Sequence, residues 1–159
     1  MTRWLDEEEQ ATWRAYLRAT SLVSEAVEGE LQDDAGIPHT YYEILVHLSE
    51  APDRSLRMSE LAARALASRS RLSHAVNRLT EQGWVERREC PTDRRGQIAH
   101  LTDAGFAALE RAAPGHVEAV RVAVFDPLTR EQLRALRDIA DTLAAARDPA
   151  SRRAGAGPS

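Results

Sequence analysis

The chain has 159 residues, 43% hydrophobic and 29% charged, with a single cysteine; this suits one compact domain with its own core and excludes an intramolecular disulfide framework. No apolar run approaches the ~20 residues that cross a bilayer, and the start, MTRWLDEEEQ, is acidic rather than signal-like, so a cytoplasmic protein without membrane contact is expected. The formal net charge of −4 speaks against a uniformly basic nucleic-acid binder, so any such role must rest on how the charge is distributed.

Asp6 to about Gln32 reads as a long helix. Trp13, Tyr16, Leu17, Thr20, Val23, Val27 and Leu31 recur at steps of three and four. Such a helix is ~40 Å long at 1.5 Å per residue, too long for one small domain to cover, so it needs a partner surface. Asp33-Asp34-Ala35-Gly36-Ile37-Pro38 breaks it, and Tyr41 to Glu50 forms the next helix, with Ile44, Leu45 and Leu48 inward. Ala51-Pro52-Asp53-Arg54 ends that helix, and Ser55-Leu56-Arg57 suits a short strand.

Ser59 to Ala67 is a short helix that buries Leu61, Ala62, Ala65 and Leu66. A second helix follows after Ser68, a suitable N-cap, and stops at Gly83 as at a C′ residue. Leu72, Ala75, Val76 and Leu79 make its apolar stripe at i, i+3, i+4 and i+7. Its other faces carry Ser70, His74 and Asn77, flanked by Arg71, Ser73 and Arg78. Arginine reads guanine with two bonds, and serine and asparagine bond bases or phosphates. The same pair of helices with a merely solvated polar face is the plainer reading. The charge pattern favours the first. All 21 basic residues are arginine. Residues 54–95 hold ten arginines against five acids, whereas residues 1–53 hold three against twelve. A basic face on an acidic body docks one way round on a polyanion.

Trp84 to Cys90 alternates like a strand. Pro91-Thr92-Asp93-Arg94-Arg95-Gly96 is punctuated like a turn, and Gln97 to Leu101 returns as a second strand. A tip with two adjacent arginines suits a phosphate backbone or a narrow minor groove. Thr102 and Asp103 open a further helix, Ala104 to about Phe125, expected to bend at Pro114. Thr129 and Gln132 have capping-box spacing for a last helix, striped by Leu133, Leu136, Ile139, Ala140 and Leu143. From Asp148 the small, polar, Pro/Gly-rich tail reads as disordered.

Gly83-Trp84-Val85-Glu86-Arg87, Asp93-Arg94-Arg95-Gly96, Leu101-Thr102 and Ala104-Gly105, in that order after two short helices, resemble the MarR family of bacterial transcription regulators. The resemblance spans nearly the whole chain. It implies a mainly α fold with a small β-wing: a winged helix-turn-helix at 38–102, flanked by dimerisation helices at 6–36 and 104–147, with 148–159 as a tail. It implies a homodimer on double-stranded DNA, with two recognition helices on half-sites ~34–36 Å apart, usually acting as a repressor. The recognition-helix candidates are Ser68, Arg69, Ser70, Arg71, Ser73, His74, Asn77 and Arg78. The wing candidates are Arg87, Asp93, Arg94, Arg95 and Gly96. Either Arg94 or Arg95 would enter the minor groove, and Asp93 would orient the wing by pairing with an arginine or cap its own turn.

Members of that family often sense a small phenolic or anionic ligand, for which Trp13, Tyr16, His39, Tyr41, Tyr42 and His47 are candidates, with His39, Tyr41 and Tyr42 preferred. The same residues serve equally as helix-stripe core or ordinary surface residues. Cys90 lies near Arg87, Arg88, Arg94 and Arg95 in sequence, which would favour a thiolate, but it reads as an inert strand residue. The five histidines have no metal-ligand spacing. No phosphate loop, dinucleotide fingerprint or nucleophile elbow is present, so neither an enzyme nor a cofactor is expected. The competing reading is a winged-helix dimer used as a protein-interaction module without specific DNA binding.

Overall fold

The computed structural model describes residues 1–90 and 93–147, with backbone alone at 34, 35, 93–95 and 147. Two compact units divide it, Met1–Ala119 and a second beginning at Val120. In chain order the elements are α1 (Glu7–Glu30), α2 (His39–Ser49), β1 (Ser55–Arg57), α3 (Met58–Arg64), α4 (Arg69–Glu81), β2 (Val85–Cys90), β3 (Asp93–Leu101), α5 (Asp103–Val120) and α6 (Arg130–Arg147).

In the first unit, α1 starts with a capping box. Glu9 N donates to Asp6 Oδ1 at 2.8 Å, and Asp6 N donates to Glu9 Oε2 at 3.0 Å. Its apolar stripe divides along its length. Val27 and, just beyond the helix, Leu31 enter the core, whereas Trp13, Tyr16 and Leu17 are exposed. A π-type turn over Leu31–Ala35 ends the helix. The core is built from Ile44, Leu45 and Leu48 of α2, Leu61 of α3, Leu72, Val76 and Leu79 of α4, and Val85 and Leu101 of the sheet, each at most 1% exposed. Burying the three α4 side chains is worth roughly 1.5–3 kcal/mol apiece. That exceeds the ~1–2 kcal/mol for the left-handed backbone of Leu66 (φ 48°) in the tight turn before α4. The side chain of Leu66 is 95% exposed, so its expected burial does not occur. α3 stops at Arg64, and Ala65 and Leu66 already belong to the turn.

The sheet is antiparallel in the order β1-β3-β2. β1 joins it as expected, with Leu56 opposite Ala99. β3 starts earlier than the expected Gln97. Asp93 pairs with Cys90, and the register shifts between Glu89 and Cys90. The Asp and Gly punctuation suggested a six-residue turn, but strand pairing continues up to the two residues 91 and 92, which lie outside the described residues. A bulge of this kind adds local twist to a hairpin.

The junction below the wing accounts for two sequence signals. α4 ends in a Schellman motif. Gly83 takes φ 73°, its N–H donates to Thr80 O at 3.0 Å, and Trp84 N–H donates to Leu79 O at 3.0 Å. Thr102 then ties β3, α4 and α5 together. Its hydroxyl donates to Gly83 O at 2.7 Å and accepts from Gly105 N at 3.0 Å, capping α5. Gly105 sits hard against Trp84, so that an added Cβ would lie 2.1 Å from the Trp84 carbonyl oxygen. This close approach is why a Leu-Thr-x-x-Gly run follows the wing. Nearby, Arg54 pairs with Asp103 at 3.0 Å and lies over the Phe106 ring at 4.0 Å.

α5 remains helical through Pro114, and the irregularity falls later, in a π-type turn over Arg121–Phe125. In the second unit, the expected capping box opens α6, with Thr129 and Gln132 exchanging bonds of 2.9 and 3.2 Å. Val122, Phe125, Leu136, Ile139 and Leu143 are exposed. The tail expected to be disordered lies outside the described residues. Among the described residues, no helix is long and apolar enough to cross a membrane.

Replacing Gly105 with Ala is expected to lower stability by about 2 kcal/mol or more, because the methyl group must displace backbone. Urea denaturation measures this, and an unchanged midpoint would contradict the proposed packing.

Candidate nucleic-acid interface

The apolar stripe of α4 orients the helix. With Leu72, Ala75, Val76 and Leu79 all buried, Ser70, Arg71, His74, Asn77 and Arg78 are exposed together with Ser68 and Arg69. Ser68 acts as the N-cap, its hydroxyl accepting from Arg71 N at 3.3 Å. Arg78 pairs with Glu81 at 3.0 Å, both exposed, and a pair of that kind contributes little and is readily exchanged. Arg69 and Arg71 have no ion pair or side-chain hydrogen bond among the described residues. The start of α4 therefore presents two free guanidinium groups beside the backbone N–H groups of a helix N-terminus, an arrangement that attracts phosphate oxygens.

Ser73 and Arg87 depart from this picture. Ser73 is half-buried, and the Arg87 side chain reaches it from β2. Arg87 Nη2 donates to Ser73 O at 3.1 Å and to Ser73 Oγ at 3.0 Å, and Nη1 donates to Gln97 Oε1 of β3. The Arg87 Nε is buried without a partner among the described residues. Arg57, Ser59, Arg69, Ser73, Arg87 and Gln97 help line a cleft of about 590 Å³ between α4 and the wing. The wing residues Asp93, Arg94, Arg95 and Gly96 all lie on β3. Cys90 is buried on β2, away from solvent.

Four of the six effector candidates make ring contacts, in two sets. Trp13 stacks on Tyr16 along α1, with centroids 5.8 Å apart and both rings exposed. Tyr42 is buried and meets His116 of α5 at 4.3 Å, and His39 meets the same ring at 5.7 Å. Tyr41 packs against the core, and His47 is half-buried. Sequence reading missed His116. Nothing in its local sequence distinguishes it, because only the packing of α5 brings it to Tyr42. Its Nδ1 is buried without a partner among the described residues. Burial, and then the neighbouring His39, lower its pKa, while Glu43 opposes them. Burial raises that of Tyr42. Among the described residues, no three His, Cys, Asp or Glu side chains cluster to hold a metal.

A short helix pair, an exposed basic second helix and a β-hairpin beside it define a winged helix-turn-helix. The MarR family profile matches residues 35–96, and similar solved structures extend the likeness over the flanking helices. Sco3205 from Streptomyces coelicolor, a MarR family transcriptional regulator solved in complex with DNA, is 54% identical. It aligns over 94% of this chain and 93% of its own, with a TM-score of 0.91. AbsC, another MarR family regulator from that organism, is 41% identical over 90% of this chain and 99% of its own, with a TM-score of 0.82. The transcriptional repressor MprA of Escherichia coli K12 is 33% identical over 79 residues, 50% of this chain and 45% of MprA. The match thus spans about half the length of that relative. The chain belongs to the MarR family, a family of transcription regulators rather than enzymes.

The lowered pKa of His116 has a definite sign. Its folded value lies below the ordinary imidazole value of 6.5, so the unfolded chain binds more protons as pH falls through that value. The stability associated with His116 is complete above it and is lost as pH falls toward the folded value. Between about pH 7.5 and about pH 5.5, the urea midpoint is expected to decline less steeply in His116→Gln than in the wild-type chain. Parallel declines would contradict a neutral, half-buried His116.

Proposed function

We propose that this chain is a sequence-specific DNA-binding repressor that sits on a pseudo-palindromic operator as a homodimer. The observation that carries the reading is the exposed polar face of α4, with Arg69 and Arg71 at its start making no ion pair among the described residues, and a hairpin alongside. In this reading α4 enters the major groove, Arg71, His74 and Asn77 reach base edges, and Ser68, Ser70, Arg69 and Arg78 contact phosphate. The wing follows the adjacent backbone, and Arg94 or Arg95 enters the minor groove.

Two features support dimerisation. Trp13, Tyr16 and Leu17 of α1 are exposed, and so, within the second unit, are Leu136, Ile139 and Leu143 of α6. Apolar stripes left open in this way mark association surfaces. Sco3205, at 54% identity, was solved with DNA, which supports duplex DNA as the partner. The acidic remainder of the chain moderates non-specific affinity, since that affinity is mostly electrostatic. Release by a small phenolic or anionic ligand fits the ring cluster of His39, Tyr42 and His116, where the buried Nδ1 of His116 offers an unused polar atom. The setting for this function is the cytoplasm.

Selection from random-sequence duplexes tests the reading. Recovery of a two-fold-related site supports it, and retention of no duplex at low salt overturns it in favour of a protein-interaction module. On the recovered site, Arg71→Ala is expected to cost ~1–3 kcal/mol and to relax specificity at the bases it meets. An equal loss on random DNA would make Arg71 a phosphate contact instead.

A further inference from the structure

Arg87 is an arginine of the basic segment whose contacts join the wing to the recognition helix. It stands on β2 opposite Ala99 of β3. Its fork spans three elements: the main chain and hydroxyl of Ser73 on α4, the β2 backbone that carries it, and the Gln97 side chain on β3. Gln97 immediately follows Gly96, at the far part of the hairpin. A guanidinium that grips phosphate presents its donors outward. Arg87 is half-buried, with both terminal nitrogens already committed to protein acceptors and its Nε shut away from solvent.

The geometry points to Arg87 as a positioning residue that sets the angle between the wing and α4, and through it the specificity of the DNA-binding surface proposed above, on which this inference rests. The lever is long. β3 runs for nine residues, ~30 Å at about 3.3 Å per residue. A rotation of ~10° at its base would move the tip by ~5 Å, well beyond the ~0.5 Å within which a binding constellation must be held. The covalent link between α4 and β2 is only Gln82-Gly83-Trp84, and it includes a glycine in a left-handed conformation. The Thr102 junction fixes the base of the hairpin, and Arg87 fixes its middle against the helix. Base contacts from α4 and groove contacts from the tip are therefore held in one register. Only a planar, multi-donor head can bridge Ser73 and Gln97 at once. An ammonium group on the same stem can satisfy one side.

The test compares wild type, Arg87→Met, Arg87→Lys and Gln97→Leu on the selected site and on random duplex, across a salt series. Gln97→Leu alters an exposed side chain and cuts only the outer half of the bridge, so it reports even if Arg87→Met folds poorly. Arg87→Met is expected to weaken binding to the selected site roughly tenfold or more, the usual scale for a misplaced recognition contact. It should leave random-duplex affinity and the slope of log K against log salt unchanged. Gln97→Leu should move affinity in the same direction, and Arg87→Lys should not restore it. A slope smaller by about 0.9, with equal losses on both duplexes, would make Arg87 a phosphate contact and overturn the inference. So would full rescue by Lys, or unchanged specificity in Arg87→Met while the wild type binds normally. A wild-type chain that retains no duplex would instead overturn the DNA-binding reading itself, and this inference with it.

Discussion

One helix must satisfy two opposite demands. For the proposed role, α4 has to be held firmly enough to act as a rigid probe, yet its exposed face must stay clear of the protein. The division lies within its 13 residues. Leu72, Ala75, Val76 and Leu79 sink into a core shared with α2, α3 and the sheet, whereas Ser70, Arg71, His74, Asn77 and Arg78 stay exposed and Ser73 is half-buried. Because the buried residues follow helical period, the exposed ones do too, so Ser70, His74 and Asn77 form a row without any separate device to align them. The same burial outweighs the left-handed turn at Leu66 that brings α4 in behind α3.

The wing depends on that helix at two places. At its base, the Schellman end of α4, the Thr102 hydroxyl and the close approach of Gly105 to Trp84 lock helix, strand and α5 into one joint. Further out, Arg87 braces the hairpin against Ser73. Both devices are polar or close-packed contacts between neighbouring elements, made by a hydroxyl, a glycine and a guanidinium.

Much of this was legible in the sequence, because the strongest patterns are the ones that burial enforces. The α4 stripe, its Ser68 cap, the Gly83 stop and the Thr129 box are local signals with local causes. The misreadings occurred where tertiary contacts decide the outcome. Pairing with Cys90 drew Asp93 into a strand despite its turn chemistry. Leu66 looked like the end of a helix stripe but occupies a turn that the packing of α3 on α4 requires. Arg87 looked like one more basic wing residue, because its acceptors lie 14 positions back and 10 ahead. His116 is distant in sequence from the two rings it meets. Of the site proper, the exposed face of α4 could be read from periodicity alone. The division of labour among its arginines required the pairing partners, which sequence does not show.

The central claim is that the wet face of α4 and the wing together form a duplex-reading surface that works in pairs. Sedimentation velocity of the chain with its selected duplex, at low and high salt, tests this most directly. The account predicts two chains per duplex at low salt, released as salt rises because phosphate contacts carry much of the affinity. A chain that leaves the duplex free at low salt, or that binds as a single copy, would contradict it.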